Sequence, residues 1–570
     1  MTSASPAPSA RYVLGVTASV ARERVYSPEM SGSAVGSPPT FRETFSPATL
    51  RPDVPLVLIL VFGALLRMQY LDMPMAEAHR WREVFNADIA RNFAERSMNI
   101  FYPQVNWGGP SETYVGMEFP LMHWIVAVAY RVFHEDAIYG RLVSIAFSLG
   151  TVWALFALGT RLFGVAAGRA AAFLFAISPS AVFFGRFFIS DTPMVFFSVV
   201  AVLGWVAYLD TGSTAAAIAG ACASALAFLV KIPAVIVLAP IAWAAWHARR
   251  WSALTDRRLV VGIASALAVT ALWYWHADVL FHRTGLGLAI WHPSGSYPLP
   301  ISVATGTSAG VYHWTNATRL AGWDFYIEML NRAWALHLTP GGFMLALFGL
   351  LATWRRPRRR LVDAWLGVVL LLMLATADGN RNHEFHQLPL LPPAALLFGL
   401  AAAPAFDGAW LRANGGQITG AVGSAAALAA AAWLSFNYSG AVQNLFRPTR
   451  LDLAPIEAGV ALQQVVSPAA LVVTVEYEQF GNNSPILLYW AHRRGWSFDL
   501  GSISPHVIDL LRKRFGATYF ATTIWTRLAA AHPDVAEYLR ARRQVTVPNA
   551  PPNTMLFDLT TDADPDKARP

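Results

Sequence analysis

The chain has 570 residues, of which 55% are hydrophobic and only 14% charged, and its mean hydropathy is +0.40. This composition excludes an ordinary soluble protein and indicates many membrane spans. In a soluble chain, the net charge of +8 would suggest a nucleic-acid partner. Here the arginines cluster in short loops between apolar segments, where they indicate which loops lie on the cytoplasmic side of the membrane. The single cysteine, Cys222, excludes an intrachain disulfide and a cysteine metal site.

Residues 1–52 are rich in Ser, Pro, Ala and Arg and contain no apolar run of spanning length. They predict a disordered tail, which we expect in the cytoplasm. The first span is predicted at about 54–71. This span opens a predicted membrane domain, 53–436, which has one long extracytoplasmic loop at 73–137.

The polar part of this first loop begins with an apolar stripe in which Trp81, Phe85, Ile89 and Phe93 recur every fourth position. Such spacing predicts a helix. Beside a membrane, a helix of this kind is expected to lie in the interface with its stripe in lipid and its carboxylates facing water. A solvated connector is the alternative, although loops of about forty residues are rarely idle connections.

The apolar stretch 120–133 would cover only about 21 Å as a helix, less than the roughly 30 Å hydrocarbon core. It also contains His123 and Arg131, so we predict that it lies beside the membrane and does not cross it. Further spans are predicted at about 139–162, 166–185, 193–209, 214–230, 232–247, 258–277, 338–354, 361–377, 388–404 and 416–435. Together with the first span, these make about eleven.

Short cytoplasmic loops collect Lys and Arg, and this rule tests the count. With the N-terminus inside, the cytoplasmic connections hold Arg161, Arg169, Arg249, Arg250, Arg257, Arg258, Arg355, Arg356, Arg358, Arg359, Arg360 and Arg412. The short outer connections hold only Arg186, Lys231 and Arg381. The same parity places the first loop and the chain after Phe436 outside the membrane.

The composition becomes that of a soluble protein at about 450–561. The stretches AALVVTVEY, FGATYFATT and NTMLFDLT predict strands, and 503–515 and 525–541 predict helices. We therefore expect a small extracytoplasmic α/β domain, followed by a disordered tail at 562–570.

Polar groups at the outer membrane face are functional candidates because they are costly to place there. The candidates are Glu83, Asp88 and Glu118 in the first loop, Arg186 and Asp191 in GRFFISDTP, Lys231 in LAFLVKIP, and Arg381, His383, Glu384, His386 and Gln387 in GNRNHEFHQLP. Two have ordinary explanations, since Asp191 can cap the helix that opens at Pro193 and Lys231 can snorkel. His383, Glu384 and His386 lack the HxxxH spacing of zinc enzymes, so a metal site is not favoured.

Carboxylates beside Arg and Lys at a membrane surface suit one class of reaction. A carboxylate deprotonates an acceptor hydroxyl or amine, while the cations hold a lipid-linked phosphate that leaves as an anion. Glycosyl transfer from a polyprenyl-phosphate sugar has these requirements. The sequence shows no phosphate-cradling glycine-rich loop or nucleotide fingerprint, which disfavours a nucleotide-sugar donor.

The order of these features resembles the GT-C membrane glycosyltransferases, in particular the branch with the lipid A aminoarabinose transferase and the protein O-mannosyltransferases. The resemblance covers roughly 54–405 and rests on ARNF, EFP, FISDTP, the lysine of LVKIP and HEFHQLPLLPP in that order. It implies an enzyme that uses a polyprenyl-phosphate sugar. It also implies functional roles for Glu118 and Asp191, and a phosphate-binding role for Lys231.

The family usually carries an Asp-Glu pair in the first loop. Counted back from ARNF, this pair falls on Arg82 and Glu83, so only the glutamate matches. Glu83 is therefore the first candidate for the first-loop acid and Asp88 the second. Arg186, His383 and Glu384 are expected to bind substrate.

The sequence thus predicts a mostly α polytopic membrane protein of GT-C type. Its expected reaction is sugar transfer to a lipid, glycan or protein acceptor at the outer face of a bacterial cytoplasmic membrane. We expect no cofactor, with a divalent metal ion left open, and no nucleic-acid partner. A transporter would have paired repeats and charges near mid-membrane, and a non-catalytic scaffold would not need these carboxylates and lysine together, so both are weaker alternatives.

Overall fold

The structure is a computed structural model that describes residues 53–110, 112–287, 320, 322–352, 358–407, 445–447, 450–476 and 484–563. The protein is mostly helical, as predicted, with one small sheet near the C-terminus. The predicted tail at 1–52 and the predicted span at 416–435 lie outside the described residues.

Within residues 53–287, apart from residue 111, the structure describes ten α-helices. They are α1 (Val54–Arg67), α2 (Arg80–Glu95), α3 (Leu121–Val132), α4 (Ala137–Phe163), α5 (Val165–Ile177), α6 (Pro179–Phe184), α7 (Asp191–Thr211), α8 (Thr214–Val230), α9 (Leu238–Arg249) and α10 (Arg257–Thr284). Polar side chains start several of them by accepting backbone N–H bonds, as expected of N-caps: Asp53 for α1, Asp136 for α4, Ser213 for α8 and Asp256 for α10. Short 3₁₀ segments at Ile232–Val237 and Arg250–Thr255 flank α9.

The next helices are α11 (Trp323–Asn331), α12 (Pro340–Ala352), α13 (Arg359–Ala375), α14 (Ala377–Asn382) and α15 (Leu391–Ala402). A π-helical turn, Arg332–His337, extends α11. The 3₁₀ segment Glu384–Leu390 leads into α15, and a second one, Ala403–Phe406, follows it.

The predicted eleven spans are not confirmed. Among the described residues, five helical segments are long and apolar enough to cross a membrane: Ala137–Phe163, Asp191–Thr211, Ile232–Thr255, Arg257–Thr284 and Glu384–Phe406. A sixth is possible if Trp323–His337 and Pro340–Ala352, which are bent by 109°, form one span. Other predicted spans are shorter helices; α5, for example, has 13 residues and ends before Pro179. The stretch predicted to lie beside the membrane forms the 12-residue α3.

Small residues allow the long helices to pack closely. Gly204 of α7 faces Gly220 of α8, where a Cβ on Gly204 would lie 2.6 Å from the amide nitrogen of Gly220. Close backbone approach at small residues is the usual way in which helices associate in lipid. Nearby, Trp205 donates to the Ser224 hydroxyl at 3.1 Å, so that this pair of helices is also joined by a side-chain hydrogen bond.

The first-loop helix α2 does not lie in a lipid interface, and this expectation was wrong. Phe85, Ile89 and Phe93 are buried against the C-terminal domain. Glu83 and Asp88, which lie outside the apolar stripe, are also fully buried. The apolar stripe was recognised correctly, but its partner is protein. A helix can be buried on all sides only if its charges find partners, and those partners form the networks described below.

The C-terminal domain contains α16 (Arg450–Val465), β1 (Leu471–Val475), α17 (Ile486–Trp490), β2 (Arg494–Phe498), α18 (Pro505–Phe515), β3 (Tyr519–Thr522), α19 (Trp525–Ala531), α20 (Pro533–Arg540), β4 (Arg542–Val545) and β5 (Met555–Asp562). The sheet order is β2-β1-β3-β5-β4. The strands β2, β1 and β3 are parallel, and β5 is antiparallel to both of its neighbours. The three predicted strands are β1, β3 and β5, whereas β2 and β4 were missed.

The first loop covers one edge of this sheet. Gly109 donates its amide hydrogen to the Gly495 carbonyl at 2.8 Å, and Gly495 donates to the Asn106 carbonyl at 3.0 Å. Gly109 has a φ of +79°, and a Cβ there would lie 2.5 Å from the Trp496 ring, so glycine is required. The loop therefore pairs with the edge strand β2, which protects it from other strands.

Candidate active site

Asp191 and Lys231 form an ion pair at one end of the helices α7 and α8. Asp191 is the first residue of α7, and Lys231 is the C-cap of α8, so the turn between these antiparallel helices leaves both at the same end. Lys231 Nζ lies 2.5 Å from Asp191 Oδ2 and 5.3 Å from the centre of the Phe385 ring. The N-cap of α7 is Ser190, so the expected capping role of Asp191 is replaced by this ion pair.

Glu118 lies near this pair because its neighbours in the chain are tied to two helices. The Phe119 amide donates to the Leu229 carbonyl of α8 at 2.9 Å, and the Trp273 indole of α10 donates to the Met117 carbonyl at 3.0 Å. Burial raises the pKa of the Glu118 carboxyl, and Lys231 and Arg82 oppose this effect. The carboxyl of Glu118 therefore lies within the electrostatic reach of Lys231, Arg82 and Asp191.

Arg82 was not selected from the sequence, where it marked only a departure from the family's Asp-Glu pair. Within the described part of the chain, no carboxylate lies at ion-pair distance from its guanidinium group. Burial lowers the pKa of His383, and the charge of Arg82 lowers it further, as it does that of Glu118. An arginine without an acidic partner among the described residues suits an anion, because guanidinium groups bind phosphate through two parallel hydrogen bonds.

His79 and Glu384 form a second pair beside the site. The distance between His79 Nε2 and Glu384 Oε2 is 2.6 Å, and Arg332 lies 3.5 Å from the other carboxylate oxygen. His79 adopts a left-handed conformation with a φ of +61°, which is uncommon for a residue other than glycine. A strained residue of this kind is typical of a functional site.

A cavity of about 520 Å³ opens next to Glu384. Its wall contains both charged and apolar residues, namely Asp324, Ile327, Glu328, Asn331, Arg332, Ala335, Leu336, Glu384 and Leu445. The volume is that of a typical small-molecule site.

Glu83 lies in a separate, fully buried ion network. Arg141 of α4 donates to both Glu83 oxygens, at 3.0 and 3.1 Å, and to the carbonyls of Leu71 and Met73. Arg186, predicted to bind substrate, is buried in the same network, where it pairs with Glu77. Among the described residues, Glu83 and Arg186 are thus paired within this buried network and not with Asp191 or Lys231.

Asp88, the alternative first-loop acid, lies on the side of α2 that faces Asn106. Its Oδ2 accepts the Asn106 amide hydrogen at 2.9 Å. Burial raises the pKa of Asp88 to about 7, although Arg91 and Arg96 act against this shift. Its neighbours belong to the junction with the C-terminal domain.

The described residues contain one group with spacing suitable for a metal ion, formed by Glu95, Glu135 and His492. Arg91 already occupies this group, since its Nη2 lies 2.6 Å from Glu135 and 3.3 Å from His492 Nε2. A guanidinium group thereby provides the positive charge that a metal ion would supply. The group does not include His383, Glu384 or His386.

Residues 117–275 match the family model of dolichyl-phosphate-mannose-protein mannosyltransferases. The structure is similar to that of ArnT from Cupriavidus metallidurans in the apo state, with 15% identity and a TM-score of 0.55 over 88% of this chain and 96% of that one. The chain has the fold of the GT-C membrane glycosyltransferases. The resemblance expected from the sequence is confirmed.

Two further structures share this GT-C fold. ArnT bound to undecaprenyl phosphate is 14% identical, with a TM-score of 0.54 over 88% of this chain and 97% of that one. The apo oligosaccharyltransferase of Archaeoglobus fulgidus is 13% identical, with a TM-score of 0.50 over 88% of this chain and 75% of that one. No curated protein matches the chain.

The comparisons support a multi-pass membrane glycosyltransferase of GT-C type. The segment matched by the family model contains Glu118, Asp191 and Lys231, and it leaves out His79, Glu83 and Glu384. The match thus includes the central ion pair but not the residues of the first-loop helix. A signal for the missed residues exists in the sequence, since Glu77 and His79 are charged or titratable groups directly before the apolar stripe.

Proposed function

We propose that the protein transfers a sugar from a polyprenyl-phosphate donor to a lipid, glycan or protein acceptor by inverting displacement. The observation that carries this proposal is the Asp191–Lys231 pair, which places a carboxylate and an ammonium group 2.5 Å apart at the ends of the helices α7 and α8. The site faces the outer side of a bacterial cytoplasmic membrane, where nucleotide sugars are not supplied. The ArnT neighbour bound to undecaprenyl phosphate supports a lipid phosphate as the donor.

The roles follow from charge. Asp191 accepts the proton of the acceptor hydroxyl or amine as its oxygen or nitrogen attacks the anomeric carbon of the donor sugar. The bond between that carbon and the phosphate oxygen breaks, and the lipid phosphate leaves with the bonding electrons. Lys231 and Arg82 stabilise the departing anion.

The ion pair also keeps the Asp191 carboxylate and the Lys231 ammonium group charged and close together before the substrate binds. While Lys231 faces Asp191, the two side chains balance each other's charge without a substrate. An incoming phosphate competes for the ammonium group and leaves the Asp191 carboxylate available to the acceptor. Glu118 and the His79–Glu384 pair bind sugar hydroxyls, while Glu83 and Arg186 act through the buried network that positions the first loop.

The test is radiolabelled sugar transfer by the purified protein in liposomes, with a panel of polyprenyl-phosphate monosaccharides as donors. The acceptor is first identified by mass spectrometry of envelope lipids, glycans and glycoproteins with and without the gene. Asp191→Asn should lose on the order of 10² to 10⁴ in turnover, the usual scale for a general base. Lys231→Ala should raise the donor KM most.

Asp210→Asn is the matched control, because Asp210 lies at the other end of α7 and pairs with Arg161 at 3.0 Å. It should retain normal turnover. Near-normal turnover in Asp191→Asn would remove the proposed base. Transfer from a nucleotide sugar without a lipid carrier would contradict the proposed donor class.

A further inference from the structure

The helix α11 exposes an apolar stripe. Trp323, Ile327 and Leu330 are 81%, 56% and 56% exposed, and Tyr326 and Trp334 are also exposed. These positions recur every three to four residues and therefore lie on one face. An exposed row of large apolar side chains indicates a surface that meets another apolar phase.

The other faces of α11 have different surroundings. Phe325 and Met329 are buried in the protein. On the third face, Asp324 Oδ2 lies 2.5 Å from Arg381 Nη1 and Glu328 Oε1 lies 2.6 Å from Arg332 Nη2. This charged face lines the 520 Å³ cavity beside Glu384, together with Ile327 from the apolar stripe. The helix thus has three distinct faces, one apolar and exposed, one buried and one charged.

The position of α11 relates the apolar stripe to the membrane. Arg332, just after α11, donates to the carbonyls of Asn380 and Arg381 at 2.6 and 2.8 Å, in the short helix α14, which lies between α13 and the span beginning at Glu384. The helix therefore lies level with the ends of the membrane helices. It is bent by 109° from α12, so it runs nearly perpendicular to that helix.

Large apolar side chains are also exposed on α12, beyond the bend. Met344, Phe348 and Leu351 are 53%, 59% and 64% exposed, and in a membrane protein such a surface is suited to contact with lipid. Exposed apolar side chains therefore lie on both sides of the bend. Tryptophan and tyrosine at such a position are typical of the membrane–water interface.

We propose that α11 binds the bilayer as an interfacial helix, with its apolar stripe among the acyl chains just below the headgroups. The charges of Asp324, Glu328 and Arg332 prevent deeper insertion, because moving them into the hydrocarbon core is costly. The charged face then points away from the lipid, and the cavity beside Glu384 opens at the level of the headgroups. This membrane contact does not depend on the proposed reaction.

The test is the immersion depth of nitroxide labels in the full-length protein, reconstituted in vesicles of phosphatidylethanolamine and phosphatidylglycerol. Single cysteines are placed in a Cys222→Ala background at Leu330 on the stripe and at Asp324 on the charged face. Phe348→Cys serves as the reference for the hydrocarbon core and Lys513→Cys as the reference for water, since Lys513 is 65% exposed on the C-terminal domain. All these side chains are exposed, so the labels do not disturb a core.

The measured quantity is the ratio of collision rates with oxygen and with a nickel chelate, which rises with depth in the bilayer. The ratio at Leu330 should lie between those at Phe348 and Lys513, and that at Asp324 should be close to the water reference. A ratio at Leu330 equal to that at Lys513 would overturn the proposal, and so would one above that at Phe348, which would indicate a re-entrant helix. Strong dipolar coupling between Leu330 labels of two molecules would replace the lipid contact by a contact between copies. Since no sugar donor is present, a failure here is separate from a failure of the transfer assay.

Discussion

Asp88 illustrates how a single residue can look catalytic and have a structural role. It is fully buried, and within the described residues its Oδ1 has no hydrogen-bond partner, while Oδ2 accepts one backbone N–H. A raised pKa is common in active-site acids, but desolvation produces the same shift in a buried structural carboxyl. Its neighbours, Arg91 and Arg96, belong to α2 and its C-cap and not to the group around Lys231.

The first prediction concerns the pH dependence of stability at Asp88. Its pKa is raised from 3.8 to about 7, so the folded state keeps a proton that the unfolded state releases between these values. Stability is therefore lost as the pH rises through this window, by up to about 4 kcal/mol in total. Asp88→Asn should be more stable than the parent protein at pH 8, and the difference should vanish towards pH 4. Thermal unfolding across this pH range measures the difference.

The same variant separates the structural role from a catalytic one. The side-chain amide oxygen that Asp88→Asn introduces can still accept the Asn106 amide hydrogen, so the local geometry is retained. We expect Asp88→Asn to keep its transfer activity. A loss of activity comparable to that of Asp191→Asn, together with no gain in stability at pH 8, would make Asp88 the first-loop acid.

The helix α2 connects the membrane domain to the C-terminal domain. Arg91 donates to the Tyr489 carbonyl at 2.7 Å, stacks 3.6 Å above the Tyr489 ring and pairs with Glu135 at 2.6 Å. Near the other end, Arg80 pairs with Asp452 at 2.5 Å. Because α2 carries Arg82 between these contacts, the C-terminal domain helps to position the active site.

The second prediction compares Arg91 with Arg283. Arg91→Ala removes a buried partner and leaves Glu135 and the Tyr489 carbonyl without it, so it should destabilise the protein by on the order of 3 kcal/mol. Arg283→Ala is the control, because Arg283 and its partner Glu112 are 54% and 52% exposed. An exposed pair contributes about 0–1 kcal/mol. Equal unfolding temperatures for the two variants would show that the contacts of Arg91 do not hold the domains together.

Across the molecule, the sequence predicted the helices and strands better than it predicted the contacts between them. Apolar periodicity located helices at ten of the expected spans and the strands β1, β3 and β5, because these patterns are local. The strand β2 was missed because its sequence, RGWSF, is short and begins with a charge and a glycine. The break at His532 between α19 and α20, inside a predicted single helix, follows from Pro533.

The candidate active site was only partly predictable, because local sequence patterns do not show tertiary contacts. Asp191, Lys231 and Glu118 stand at the ends of apolar segments, and the parity of the predicted spans placed them on one side of the membrane; the structure brings them near one another. The pairing of Glu83 with Arg141, 58 residues away, and of His79 with Glu384, 305 residues away, depends on tertiary contacts that leave no local pattern. The lipid-facing orientation of α2 was wrong because amphipathicity shows that a face is covered but not what covers it.

The third prediction concerns cooperativity between the first loop and the C-terminal domain. Phe85, Ile89 and Phe93 of α2 share one apolar cluster with Val472 of β1 and with Leu487 and Leu488 of α17, and Gly109 and Asn106 pair with β2. Segments that share a core open together, so the amides of 80–95 and 471–475 should exchange hydrogen with similar opening free energies. In Arg91→Ala both segments should lose protection to the same extent, while Arg283→Ala should leave both unchanged. Hydrogen exchange followed by mass spectrometry measures both segments in one experiment. If α2 kept its protection while β1 lost it, the C-terminal domain would unfold as an independent unit, and its contacts could not position Arg82.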